Sequence, residues 1–193
     1  MAAKPGARKE QILQTLAEML QNPQQEKITT AALAARLELS EAALYRHFAS
    51  KAQMFEGLIE FIETTLFGLI NKITTEETRG LAQLDAILTL CLGFAAKNPG
   101  MTRVLIGDAL VHENERLQQR INQLLDRLEA TLRQCLRVAA TQNEIRAEVD
   151  ANAVANLLLA FTVGRWHQFA KSGFKRSPLD QVEAQKQFLL GCL

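Results

Sequence analysis

Tyr45, Arg46, His47 and Lys51 fall within seven residues of one another, in the stretch LSEAALYRHFASKAQMF at residues 39–55. A phenol, a guanidinium, an imidazole and an ammonium group make a dense set of hydrogen-bond donors. Tyr45 is the only tyrosine in the 193 residues, and His47 is one of three histidines. A core helix needs no such set, and a solvated face would ordinarily be built from more Glu and Lys. Donors on a short helix suit an anionic, extended ligand, and the phosphates of a nucleic-acid backbone are the commonest one.

Other chemistries find little support. The chain has no GxxxxGK[ST], GxGxxG or GxSxG run. His112-Glu113 lacks the second histidine, four residues after the first, that a helical zinc site requires. Cys91, Cys135 and Cys192 are odd in number, far apart and set among apolar neighbours, which reads as three buried thiols in a reducing compartment. No metal, no cofactor and no enzymatic activity are expected. The opening MAAKPGARKE has no apolar h-region of a signal peptide. The most apolar runs, AILTLCLGFAA and AVANLLLAFTVG, fall short of the ~20 residues of a membrane span. A cytoplasmic protein without a membrane span is expected.

Net charge is +1, so any attraction for DNA must be local. Residues 1–51 carry Lys4, Arg8, Lys9, Lys27, Arg36, Arg46 and Lys51 against Glu10, Glu18, Glu26, Glu38 and Glu41. Three of those positives lie in the first nine residues, which hold no acid, and this makes Arg8 and Lys9 candidate DNA contacts.

The elements that position these groups read as helices throughout. Leu, Ala, Gln, Glu and Arg dominate and Gly and Pro are scarce. Ile12, Leu13, Leu16, Ala17 and Leu20 form one stripe of a helix over 8–21, and NPQQEK interrupts it. Thr29 or Thr30 caps a short helix over AALAARL, and Ser40 caps another over 40–48. Ser50 with Gln53 has the form of a capping box opening a long helix through MFEGLIEFIETTLFGLINKI. Further helices are expected over 81–96, ended by Asn98-Pro99-Gly100, then 101–106, 109–139 and 151–171. The last spans 178–191, with Ser177 as its cap and Pro178 in its first turn. Nine helices and no strand pair give an all-α fold.

TTAALAARL and SEAALYRHF, joined by a tight turn, have the spacing of a helix-turn-helix, whose second helix enters the major groove. Leu33, Leu37, Leu39, Leu44 and Phe48 would form its inner wedge, leaving Glu41, Ala42, Tyr45 and Arg46 outside. Ala42 and Ala43 keep the helix slim enough to approach base edges. Tyr45, His47, Thr29, Thr30, Ser40 and Lys51 would meet phosphates or cap the helices that do. The plainer reading, two short amphipathic helices in an ordinary bundle, accounts for the periodicity equally well.

ITTAALAARLELSEAALYRHFASKAQMF resembles the DNA-binding segment of the TetR family of bacterial regulators, on Thr30, Leu33, Ala34, Ser40, Tyr45, His47, Phe48 and Lys51. Glu38 departs from the family's usual Gly in the turn. SEAALYRHF, LIEFIE, LGFAAKNPGMTRVLIGDAL and ERLQQRINQLLDRLEATLRQ are further similar to the nucleoid-occlusion branch of that family in γ-proteobacteria. The resemblance implies a TetR-like fold with a helix-turn-helix domain at 1–52 and a helical dimerisation and partner-binding domain at 53–193. It implies a homodimer on palindromic double-stranded DNA, with more than one dimer per site allowed, associated with the nucleoid. It also implies antagonism of the division GTPase FtsZ when bound to DNA.

On the same resemblance, the tail of FtsZ would lie across Phe61, Leu90, Gly93, Lys97 and Asn98. Core packing for Phe61 and Leu90, a helix contact for Gly93 and capping for Lys97 and Asn98 remain the alternatives. The dimer seam would fall on the last two helices, at Leu158, Phe161, Arg165, Trp166 and Phe188. A competing reading is a repressor released from DNA by an apolar ligand, bound among Cys91, Phe94, Leu110, Phe161 and Trp166.

Overall fold

A computed structural model describes residues 6–22, 28–111 and 113–193. Lys4, Lys27, Glu26, His112 and most of the NPQQEK break lie outside them. The described residues form α1 (Ala7–Leu20), α2 (Thr30–Arg36), α3 (Glu41–Tyr45), α4 (Lys51–Glu76) and α5 (Gly80–Lys97). They continue with α6 (Pro99–Leu105), a 3₁₀ turn (Asp108–Leu110), α7 (Glu115–Thr141), α8 (Ala151–Lys171) and α9 (Val182–Gly191). The fold is all-α, and no strand occurs among the described residues.

The chain divides into two compact units. The first takes in residues up to Ile62 and Asn98–Ile121, and the second Glu63–Lys97 and Asn122–Leu193. Residues 6–22 and 28–52, the described part of the expected helix-turn-helix domain, sit within the first unit, which extends beyond them.

In the first unit α1 packs on α2 and α6, and α2 packs on α3. Ile12, Leu16, Leu33, Ala34, Leu37, Leu44 and Phe48 are buried. Removing such apolar area from water supplies ~25 cal/mol per Å², and this core is what holds helices too short to be stable alone. Gly100 lets α6 approach α1 closely, because a Cβ there would stand 1.9 Å from the Ala17 carbonyl oxygen. Arg103 then bridges the two elements. Its Nε donates to Asp108 Oδ2 at 2.8 Å and its Nη1 to the Leu20 carbonyl at 3.3 Å, at the end of α1 where a cation meets the negative pole of the helix.

In the second unit α5 packs against α8 and α9. Trp166, fully buried, donates its indole N–H to the Cys91 carbonyl at 3.1 Å. Gly80 sits where a Cβ would come within 2.2 Å of the Ala139 backbone nitrogen. There the Gly80 N–H donates to Gln142 Oε1 and the Leu81 N–H to Glu144 Oε2, so the turn just after α7 caps the start of α5. The Leu81 N–H, followed by Arg79, holds the Glu144 carboxyl below the usual range. By length and mean hydropathy (1.3 over 18 residues) α5 would suit a membrane span, yet half of it is buried inside the protein as a core helix.

Several expected boundaries move, for visible reasons. The helix expected from 109 starts at Glu115, because Gly107 is left-handed (φ 77°) and Asn114 Oδ1 accepts from the Arg116 N–H. Residues 178–181 form turns instead of a first helical turn. The Arg165 guanidinium gathers the carbonyls of Ser177 and Asp180, at 3.0 and 2.8 Å, and holds that segment off the helix. Asn98-Pro99-Gly100 both ends α5 and starts α6, with Pro99 at the first helical position. Cys91 and Cys135 are buried, and burial pushes their thiols up to about 12 and about 11. Cys192, expected to be buried, is exposed.

Candidate functional site

The α2–turn–α3 unit is built by capping at each end. Thr29 Oγ1 accepts from the Ala32 N–H at 3.1 Å and Ser40 Oγ from the Ala43 N–H at 3.1 Å. Such caps are worth about 1 kcal/mol each. Both hydroxyls accept in these bonds and keep their own protons for another acceptor. Between the helices Glu38 adopts φ 55°. The Glu38 N–H donates to the Ala35 carbonyl and the Leu39 N–H to the Ala34 carbonyl, closing a Schellman motif.

Leu44 and Phe48 point inward while Glu41, Ala42, Tyr45 and Arg46 are exposed and Ala43 and His47 are half-buried. Tyr45 is 43% exposed. Lys9 Nζ lies 5.5 Å from the centre of the Phe48 ring, and Arg8 Nη1 donates to Gln11 Oε1 at 2.7 Å. Phe48 also sets the spacing of α4, since a Cβ at Gly57 would stand 3.2 Å from its ring. The helix itself is shorter than the expected 40–48. At α4 Ser50 Oγ accepts from the Gln53 N–H, and Gln53 Oε1 reaches back one residue further than expected, to the Ala49 N–H at 2.8 Å.

Two expected phosphate donors are engaged elsewhere. Thr30 Oγ1 donates to Glu41 Oε2 at 2.6 Å, tying the first residue of α2 to the first residue of α3. Lys51 forms an ion pair with Glu113, both side chains largely buried, and its ammonium lies 5.6 Å from the Phe55 ring centre. Neither Glu41 as a clamp nor Glu113 as a counter-charge was foreseen. The first could have been noticed from the two N-cap positions, whereas 62 residues of separation hid the second.

The other residues singled out are distributed as follows. Phe61, 47% exposed, and half-buried Asn98 line one groove of about 360 Å³ in the first unit, with Leu13, Gln14, Leu58 and Met101. In the second unit Leu90 and Gly93 are half-buried and Lys97 is exposed. Among the described residues a Cβ at Gly93 would meet nothing within 4 Å, so none of them makes the expected close approach.

Leu158 and Trp166, expected at a dimer seam, are instead core of this chain, and Arg165 is occupied by the carbonyls before α9. Phe161 and Phe188 line an open depression with Gln181, Ala184, Gln185 and Leu189, and Phe188 is 73% exposed. Of the residues expected to hold an apolar ligand, Trp166 donates its indole N–H to the Cys91 carbonyl, Phe161 lines the outer depression, and Leu110 belongs to the first unit.

Comparison with known proteins agrees with this architecture. Residues 12–58 match the model of the bacterial regulatory proteins of the tetR family, and residues 78–193 match an SlmA-like model of the tetracyclin repressor-like C-terminal domain. Nucleoid occlusion factor SlmA of Idiomarina loihiensis is 50% identical over 189 residues, covering 98% of this chain and 96% of that protein. The protein of the same name from Alteromonas mediterranea is 51% identical over 184 residues, covering 95% and 94%. Among solved structures, a TetR transcription regulator from Haloarcula marismortui superposes with a TM-score of 0.81 at 17% identity, over 98% of this chain and 99% of that one. That likeness concerns the fold alone.

The left-handed Glu38 gives a direct test of the turn. Glu38→Gly should raise stability by about 1 kcal/mol, a gain of about 2–4 °C in Tm for a chain of this size. Differential scanning calorimetry reads it, and an unchanged or lower Tm would contradict a left-handed residue at this position.

Proposed function

We infer, because this chain belongs to the TetR family and within it to the nucleoid occlusion factors, that it binds palindromic DNA as a homodimer and in that state restrains FtsZ assembly. It acts as a regulator, in the cytoplasm and on the nucleoid, and not as an enzyme. The observation that carries the DNA reading is the exposed face of α3. Tyr45 and Arg46 stand outside a core of Leu33, Leu37, Leu44 and Phe48, and the Thr29 and Ser40 hydroxyls at the two helix starts accept in their caps and have protons to give.

Thr29, Ser40, Tyr45, Arg46 and His47, with Arg8 and Lys9 at the start of α1, are the phosphate-facing set, and Ala42 and Ala43 permit close approach to base edges. Thr30 serves this surface indirectly, by holding Glu41. Lys51 joins it only if a phosphate replaces Glu113 as its partner. Two such faces related by a two-fold axis would stand about one turn of DNA apart, ~34–36 Å, which requires a palindrome.

The two-fold contact is assigned to the open apolar face of α8 and α9 at Phe161 and Phe188, with Leu157, 53% exposed, one helical turn before Phe161 on α8. Large exposed apolar side chains grouped in this way mark association surfaces. For FtsZ, the supporting observations are the groove lined by Phe61 and Asn98, the unfilled space at Gly93 and the exposed Lys97. A mid-helix glycine costs about 1 kcal/mol relative to alanine, and among the described residues a Cβ at Gly93 would meet nothing within 4 Å. An extended tail of FtsZ is the assigned occupant of the groove, and Gly93 and Lys97 are assigned separately as contacts of the same partner.

Two outcomes are expected. Phe188→Asp should convert the dimer to a monomer in light scattering, and an intact dimer would move the interface elsewhere. FtsZ polymers formed with GTP should sediment less when the chain and a duplex it binds are present together than with the chain alone. Polymer yields indifferent to both would contradict the division role.

A further inference from the structure

A recognition helix meets base edges through the residues at its N-terminal end. On the exposed face of α3 that end carries Glu41 and Ala42, and Ala42 offers only a methyl group. Apart from the capping hydroxyl of Ser40, Glu41 is the side chain there with hydrogen-bonding atoms. An ionised carboxylate accepts hydrogen bonds and donates none. On a surface that approaches phosphates it is repelled, and an unrestrained glutamate would swing away from the duplex into solvent.

Glu41 is not unrestrained. Thr30 Oγ1 donates to its Oε2 at 2.6 Å, within the short range of hydrogen bonds to a charged acceptor. Thr30 is itself fixed as the first residue of α2, behind the Thr29 cap. The clamp holds the carboxylate at the start of α3 and occupies one oxygen from the protein side, leaving acceptor capacity on the other. What such a group can recognise in the major groove follows from the base edges. Guanine presents two acceptors there and thymine an acceptor with a methyl, and both oppose a carboxylate. Adenine couples its amino donor to the N7 acceptor, whereas cytosine presents the N4 amino donor alone.

We propose that Glu41, buttressed by Thr30, is a specificity-determining residue that selects cytosine at one position of each half-site and penalises guanine and thymine there. This rests on the DNA-binding reading above. The same carboxylate weakens binding to unrelated sequences, so part of the discrimination comes from repulsion.

The test offers a random pool of duplexes to the full chain, to Glu41→Gln and to Thr30→Val, sequences the bound fractions, and measures affinity for the selected and a scrambled duplex. Glutamine keeps an acceptor for the Thr30 hydroxyl, and equal Tm values would show the fold unchanged. The native chain should demand cytosine at one position per half-site. Glu41→Gln should lose about tenfold of that preference, leave the other positions as they were, and bind the scrambled duplex more tightly. Thr30→Val should weaken the same position alone.

Native and Glu41→Gln pools with the same base preferences, differing only in overall affinity, would overturn the proposal and leave Glu41 as a brace between α2 and α3. An undiminished preference in Thr30→Val would overturn the buttress. A native chain that selects no sequence would instead overturn the DNA-binding reading on which the proposal stands.

Discussion

Helix α3 is five residues long, and a helix of that length has no stability of its own in water. Its existence depends on Leu44 and Phe48 being buried against the neighbouring helices, on the Ser40 cap, and on the Thr30–Glu41 hydrogen bond at its first residue. This is the constraint around which the first unit is organised. Each exposed group on α3 owes its position to an inward-facing neighbour one to three residues away, so the reading surface and the core under it cannot vary independently.

The same unit shows how a nearly neutral protein can still carry a surface for a polyanion. Its cations are divided between structural and exposed duties. Arg103 is consumed by Asp108 and the end of α1, and Lys51 by Glu113, while Arg46 and Lys9 remain at the surface. A modest number of exposed donors suffices for DNA, because each neutralised phosphate releases counterions and steepens the dependence on salt. Placing an acidic residue, Glu41, among them lowers affinity for DNA in general and leaves sequence to decide where the protein stays.

Much of this was legible in the chain alone. The long stripes of α4, α5 and α8 repeat at helical spacing, and their extents are close to those expected, because burial of one face both creates the pattern and fixes the helix. The caps at Thr29 and Ser40 were legible for a local reason, since each is decided by residues within a turn of one another. What was not legible depends on partners distant in sequence. The Lys51–Glu113 pair, the Arg165 contacts that delay α9 and the Gly107 turn that delays α7 gave no periodic signal. Burial of Leu158 and Trp166 was expected, but whether a buried face meets its own chain or a second copy is not written in its period.

The central claim is that α3 and the caps around it form the surface that meets DNA. Amide chemical-shift mapping of the isotopically labelled protein, titrated with a duplex it selects, tests this most directly. The largest changes should fall at Thr29, Ser40 and residues 41–47, with smaller ones at Arg8 and Lys9. Changes concentrated on α8 and α9, with α3 unmoved, would contradict it.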